Sequence, residues 1–193
     1  MSLKHLNAAR LVAVFALALS LSGLFGHVDA YAEDVTASAE QSYKLPAHGY
    51  FNMNVPAGWN VHADRPAKTA PPTLNISPAQ GERFAVTVTP IWQKSGKAAL
   101  TKEMLRKRVE YAAGGIGAFA VEKHINIVEF DGAPGYYFTA TDRAPKRGGY
   151  KFLTKGWINV DDLTVSFTAL TNKGQDAVIA NVLNMLKSAS HRK

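Results

Sequence analysis

The chain has 193 residues, 47% of them hydrophobic and 19% charged, with 22 Lys+Arg, 15 Asp+Glu and no cysteine, giving a formal net charge of +7. Those figures exclude a disulfide scaffold, a cysteine-ligated metal site and a cysteine nucleophile, and the apolar content is too high for a chain that stays disordered throughout. The positive excess is modest and would draw the protein toward anionic surfaces, while nucleic acid is a poor candidate because no recognition motif with interleaved aromatics is present.

Lys4 and Arg10 precede an apolar run, Leu11 to Phe25, which is the layout of a secretory signal. The run is shorter than the roughly 20 residues that cross a bilayer as a helix, so no permanent membrane anchor is expected. Ala30-Tyr31-Ala32 places small residues where a signal peptidase reads them, predicting cleavage after Ala32, with Val28-Asp29-Ala30 as the second choice. Residues 1–32 are thus expected to be a signal peptide, 33–42 a polar flexible lead without aromatics, and 43–190 one globular domain.

Phe51, Met53 and Val55 alternate with Asn52 and Asn54, which is strand periodicity. Pro56-Ala57-Gly58 then turns the chain into a returning strand, Trp59-Asn60-Val61. Arg65 to Pro72 holds three prolines and reads as an exposed loop. Leu74 and Ile76 follow as a short strand, and Arg83 to Thr89, rich in β-branched residues, as a longer one that Pro90 weakens at its end. From Ala99 to Ala113 the period changes. Leu100, Met104, Leu105, Val109 and Ala112 share one face, predicting an amphipathic helix that Gly114-Gly115 stops. Val121 to Phe130, Gly135 to Thr141, Tyr150 to Val160 and Leu163 to Leu170 read as strands, with Asp131-Gly132 and Asp161-Asp162 as tight connections. Asn172 with Gln175 resembles a capping box, and Val178, Val182, Met185, Leu186 and Ala189 recur at helical spacing.

Strands, a helix, four meandering strands and a helix, without βαβ alternation, make an α+β fold with a mostly antiparallel sheet of about six to seven strands. Trp157 and Leu153 point opposite to Ile158 and Phe152, so helices are expected on both faces of the sheet. Trp59, Phe84, Phe138, Phe167 and Leu183 are expected to be buried. The segment Phe51 to Trp59 resembles the opening of PsbP-like domains, Phe84 to Pro90 their next strand, Asp131-Gly132 with Tyr136-Tyr137-Phe138 their central hairpin, and Leu163 to Ser190 their last strand and closing helix. The resemblance, covering about Tyr43 to Ser190, is to the PsbP-like superfamily of PsbP, LpqN and DcrB-like proteins. It implies an α/β/α sandwich and non-enzymatic accessory roles. LpqN and DcrB-like members are lipid-anchored, and the cysteine this needs is missing here.

Chemistry is sparse. No two of His48, His62, His124 and His191 stand at i,i+2 or i,i+4, so no zinc pair is visible, and a row of Glu122, His124 and Asn126 reads as a polar strand face. Ser166 lies in a strand and not at a nucleophile elbow. Gly114-Gly115-Ile116-Gly117 follows a helix, whereas a phosphate loop precedes one. Asp142, Asp161 and Asp162 read as turn formers at hairpin ends. Catalytic, cofactor and metal residues are therefore expected to be absent.

Charge clustering remains. Lys102, Arg106, Lys107 and Arg108 crowd the first helix, and Arg143, Lys146, Arg147, Lys151 and Lys155 accumulate around a turn-rich connection. The expectation is an exported, monomeric, non-catalytic binding or accessory protein of the bacterial envelope, periplasmic or secreted. Its partner is an envelope protein or an anionic envelope component. The alternatives are a binder of anionic lipid or cell-wall polymer acting through those five cations, and a small hydrolase.

Overall fold

The computed structural model describes residues 37–193 apart from 66, 68 and 94–98, so the expected signal segment and residues 33–36 of the lead lie outside the described residues. Tyr50–Pro56 (β2) buries Phe51, Met53 and Val55 and leaves Asn54 outside, as alternation requires. Asn52 is buried too, and its Oδ1 accepts the Ser42 hydroxyl at 2.6 Å. Ser38–Lys44 (β1) pairs along one edge of β2 and Ser190–Arg192 (β10) along the other, making a three-stranded sheet.

Two expectations are corrected here. Residues 38–42, read as part of a flexible lead, are strand. Their polar composition suits an edge strand, which needs main-chain partners and little apolar surface. Nor do the strands on either side of Pro56-Ala57-Gly58 form a hairpin. Gly58 takes a left-handed φ of 77° and the chain passes into a different sheet.

That second sheet comprises Trp59–Asp64 (β3), Thr73–Pro78 (β4), Ala85–Trp92 (β5), Val128–Glu129 (β6), Gly135–Thr141 (β7), Phe152–Val160 (β8) and Leu163–Thr171 (β9). Its order is β3-β4-β5-β9-β8-β7-β6, antiparallel throughout. Two meanders meet at a seam where β5 pairs with β9, from Ala85↔Leu170 to Trp92↔Leu163. Pro90 sits inside β5 rather than ending it, because the pairs with β4 stop at Val88 and the missing N–H is tolerated there. Asp161-Asp162 makes the tight connection from β8 to β9, with Asp161 left-handed at φ 51°.

Between the meanders lies the helix Lys102–Ile116 (α1), capped by Thr101, whose hydroxyl accepts the Met104 N–H at 3.2 Å. It runs through Gly114 and Gly115 and ends at Gly117, correcting the expected stop. Neither glycine takes a positive φ, and Ile116 in the last turn packs against the cluster under the helix. That packing outweighs a cost of roughly 1 kcal/mol per helical glycine. The expected strand Val121–Phe130 shrinks to β6, with a bridge from Ala120 to Asp142 before it. The supposed strand row of Glu122, His124 and Asn126 is therefore irregular chain.

Asp176–Lys187 (α2) buries Val182, Met185 and Leu186. Only half of the expected capping box forms. Gln175 Oε1 accepts the Asn172 N–H at 2.7 Å, while Asn172 Oδ1 accepts the Lys151 N–H instead.

Strand parity sorts the interior into two clusters. Tyr136, Phe138 and Ala140 of β7, with Leu153 and Trp157 of β8, meet Leu105 and Val109 of α1. Ile158, Val165, Phe167, Val86 and Val88 point the other way and join Phe51, Met53 and the α2 residues. Each fully buried side chain of this size contributes about 1.5–3 kcal/mol. Phe84, Phe138 and Phe167 are buried as expected. Trp59 and Leu183 are half-buried, a correction: Trp59 rests on Phe84 at 4.7 Å beside the turn that changes sheets, and Leu183 lies on the flank of α2. Among the described residues no helix is long and apolar enough to cross a membrane.

Candidate functional site

The connection from β7 to β8, Asp142 to Lys151, contains four of the five cations singled out from the sequence. Ala144-Pro145 and Gly148-Gly149 keep it turn-rich, and Asp142 opens it by accepting the Ala144 N–H at 2.9 Å. The Gly149 N–H donates to Lys146 O at 2.7 Å and closes a second turn, in which Gly148 is left-handed at φ 72°. With its polar groups thus satisfied, the loop stays in solvent and Arg143 to Gly149 are all exposed.

Its base is anchored. Arg143 donates from its main-chain N–H to Phe119 O at 2.9 Å and from Nη2 to Ala120 O at 2.7 Å. Lys151 donates from Nζ to Asp142 O at 2.6 Å. Nearby, Glu122 accepts the Thr141 hydroxyl at 2.6 Å and the Thr141 N–H at 2.9 Å. Burial pushes the Glu122 carboxyl up, but the Thr141 hydroxyl and N–H outweigh it, with help from Lys151, and hold it below the usual carboxylate range. An ionised carboxylate thus ties the chain after α1 to β7.

Sequence reasoning missed two groups that complete the patch. Arg83, distant in the chain, donates from Nη2 to Gly148 O and lays its guanidinium 4.8 Å from the Tyr150 ring centroid. Phe119, 71% exposed, lies beside the loop, with the exposed Val121 next to it. Ala118, Phe119, Arg143, Lys146 and Tyr150 line a shallow groove of about 580 Å³. Phe119 falls between the expected helix stop at Gly114-Gly115 and the strand expected from Val121, where the side-chain pattern carries no sign of its exposure.

Lys155 is not part of this patch. It stands on the sheet beside Trp157, its Nζ 5.4 Å from the ring centroid. The helix cations are largely neutralised, Lys102 by Glu129, Arg106 by Glu110 at 2.8 Å and Lys107 by Glu103 at 2.7 Å. Arg108 has no acidic partner among the described residues. The remaining candidates are dispersed. His48 stacks on Trp92 at 4.3 Å, His62 pairs with Asp64 at 2.9 Å, and His124 is exposed. His191 lies between Asp162 and the His48 carbonyl. Among the described residues no three His, Asp or Glu side chains gather as a metal site would require.

No family model matches the chain, and no curated protein does. Among solved structures it is similar to the solution structure of cyanobacterial PsbP (CyanoP) from Synechocystis sp. PCC 6803, at 13% identity and TM-score 0.45, covering 82% of this chain and 96% of that one. It is also similar to a crystal structure from Bacteroides thetaiotaomicron VPI-5482, at 13% identity and TM-score 0.47, covering 74% of this chain. This chain spans 45% of the length of that one. These likenesses bring neither ligand nor activity to this chain.

Proposed function

We propose that this is an exported, non-catalytic binding or accessory protein of the bacterial cell envelope, periplasmic or secreted after cleavage near Ala32, which docks on anionic lipid through its β7–β8 loop. Its fold is read as an α/β/α sandwich, with α1 over the Tyr136 and Trp157 face and α2 on the Phe167 side. The observation that carries the function is Phe119, exposed beside Arg143, Lys146 and the Arg83-tethered tip of the loop. An aromatic ring seats at the boundary between headgroups and acyl chains, and cations around it face anionic headgroups. Each cation near such a surface contributes about 1 kcal/mol, so the loop supports weak, reversible binding rather than anchorage.

The test is sedimentation with vesicles of anionic and of neutral lipid at two salt concentrations. The wild type should bind the anionic vesicles at low salt and release as screening shortens to about 8 Å near physiological ionic strength. Reversing Arg143, Lys146 and Arg147 to Glu should abolish binding, and Phe119→Ala should weaken it. If wild type and triple variant sediment alike, the loop is a solvated turn and the reading fails.

A further inference from the structure

The edges of the two sheets are finished in different ways. On β10 the outward His191 N–H donates to Asp161 Oδ2 at 2.8 Å, which closes that edge. β6 is two residues long, and β3 pairs its charges within itself, His62 against Asp64 at 2.9 Å. β1 is left open. It is seven residues long, holds no proline and pairs with β2 alone, from Ser38↔Pro56 to Lys44↔Tyr50. An edge of that length presents unpaired main-chain groups to a further strand.

The ladder decides which groups these are. The Ala57 N–H donates to Ala37 O at 2.6 Å, so Ala37, and with it Ala39, Gln41 and Tyr43, turn their main-chain groups toward β2. Ser38, Glu40, Ser42 and Lys44 therefore turn theirs outward. Of these outward groups, Lys44 O alone has a partner among the described residues, Arg65 Nη2 at 2.9 Å, and a carbonyl oxygen keeps a second lone pair.

The outward residues also carry the charges of the strand. Glu40 and Lys44 are exposed, and neither has a charged partner among the described residues. They stand two places on either side of Ser42. A second β1 run antiparallel about Ser42 sets each Glu40 opposite the other copy's Lys44, and Ser42 opposite Ser42. Those three pairs are the ones whose main-chain groups point outward, so each can exchange both of its hydrogen bonds. Centring the pair on Gln41 leaves both charges unmatched, and centring it on Glu40 or Lys44 sets like charges opposite. Charge therefore selects Ser42 as the centre.

We propose that β1 pairs with β1 of a second copy of this chain about Ser42, joining two three-stranded sheets into one and making a weak dimer in place of the expected monomer. The self-complementary charge favours this occupant over an unrelated extended peptide, which has no reason to carry Lys and Glu at that spacing.

The experiment is sedimentation velocity of the purified chain from micromolar to millimolar concentration, beside Glu40→Lys, Lys44→Glu and the double swap. The wild type should pass from monomer to dimer as concentration rises, weakly because one strand pair buries less than a standard interface. Each single reversal sets two pairs of like charges opposite and should weaken the dimer about tenfold, and the double swap should restore it. All three variants should melt with the wild type, because both side chains are exposed. Amide hydrogen exchange at Glu40, Ser42 and Lys44 should slow as concentration rises, while Gln41 and Tyr43, turned toward β2, exchange slowly throughout. A wild type that stays monomeric to millimolar concentration, a dimer indifferent to the single reversals, a double swap that fails to restore it, or exchange at Glu40 and Ser42 that ignores concentration would each overturn the proposal.

Discussion

Gly156 provides the sharpest test of the packing. It lies at the centre of β8, opposite Phe167 on β9 and Tyr137 on β7. A Cβ added there would stand 2.6 Å from Phe167 Cε1, 2.6 Å from Tyr136 O and 2.6 Å from Tyr137 Cβ. The second of these is main chain of the neighbouring strand β7, and the third is the first atom of a side chain, so neither yields without moving the sheet. Overpacking of a core costs about 1–3 kcal/mol, and Gly156→Ala belongs at the upper end because two of its three clashes are rigid. About 3 kcal/mol lowers the melting temperature of a domain of this size by about 6–12 °C. Thermal unfolding followed by circular dichroism reads this directly. Phe167→Ala in the same chain should remove one clash of the three, so the double variant should fall short of the summed losses. A Gly156→Ala variant that melts within 2 °C of the wild type would refute the close approach of β7, β8 and β9 at this point.

Phe167→Ala alone should cost about 3–5 kcal/mol, because the ring is fully enclosed and its removal leaves a cavity; the denaturant midpoint checks it, and an unchanged midpoint would mean the wrong face was assigned to β9. Asp162 bonds to Lys193 at 2.8 Å and to His191, contacts that lower its carboxyl from 3.8 to about 2. A carboxyl lowered by folding stabilises the fold above its unfolded value and loses that contribution as pH falls through the folded one, here between about pH 4 and 2. Since Asp162 is about half exposed, screening limits the effect to under about 1 kcal/mol, and Asp162→Asn should flatten the stability profile across that window. Mass spectrometry of protein from the envelope fraction should find a chain beginning at Glu33; an intact Met1 end would refute export with processing.

Period and punctuation are local, which is why most of the second sheet is legible in the sequence. Gly135 to Thr141 and Leu163 to Leu170 carry alternation strong enough to be read within a residue of their true ends, and Asp161-Asp162 announces the turn between β8 and β9. The face assignment of Trp157 and Leu153 against Ile158 follows from the same period of two. What the chain alone determined is therefore which residues alternate, which face each strand buries, and that cations gather after β7.

Tertiary structure decided everything that depends on a distant partner. Ser38–Lys44 is a strand only because β2 lies beside it, since main-chain pairing leaves no mark on side-chain pattern. Gly114 and Gly115 are helical because Ile116 has something to pack against. Whether β2 turned back onto β3 or left for another sheet was decided by what covered Phe51 and Met53, not by the Pro-Ala-Gly turn. The same holds for the sites. The cluster of five cations was visible, but its division was not, because a single strand carries Lys155 some distance from the loop toward Trp157 and α1. Arg83 reached the loop from another meander, and a polar row came into being only when register set Lys155, Thr168, Thr87, Asn75 and His62 side by side across five strands. A sequence records the period of each strand; the alignment of one strand's period with the next is a property of the assembled sheet.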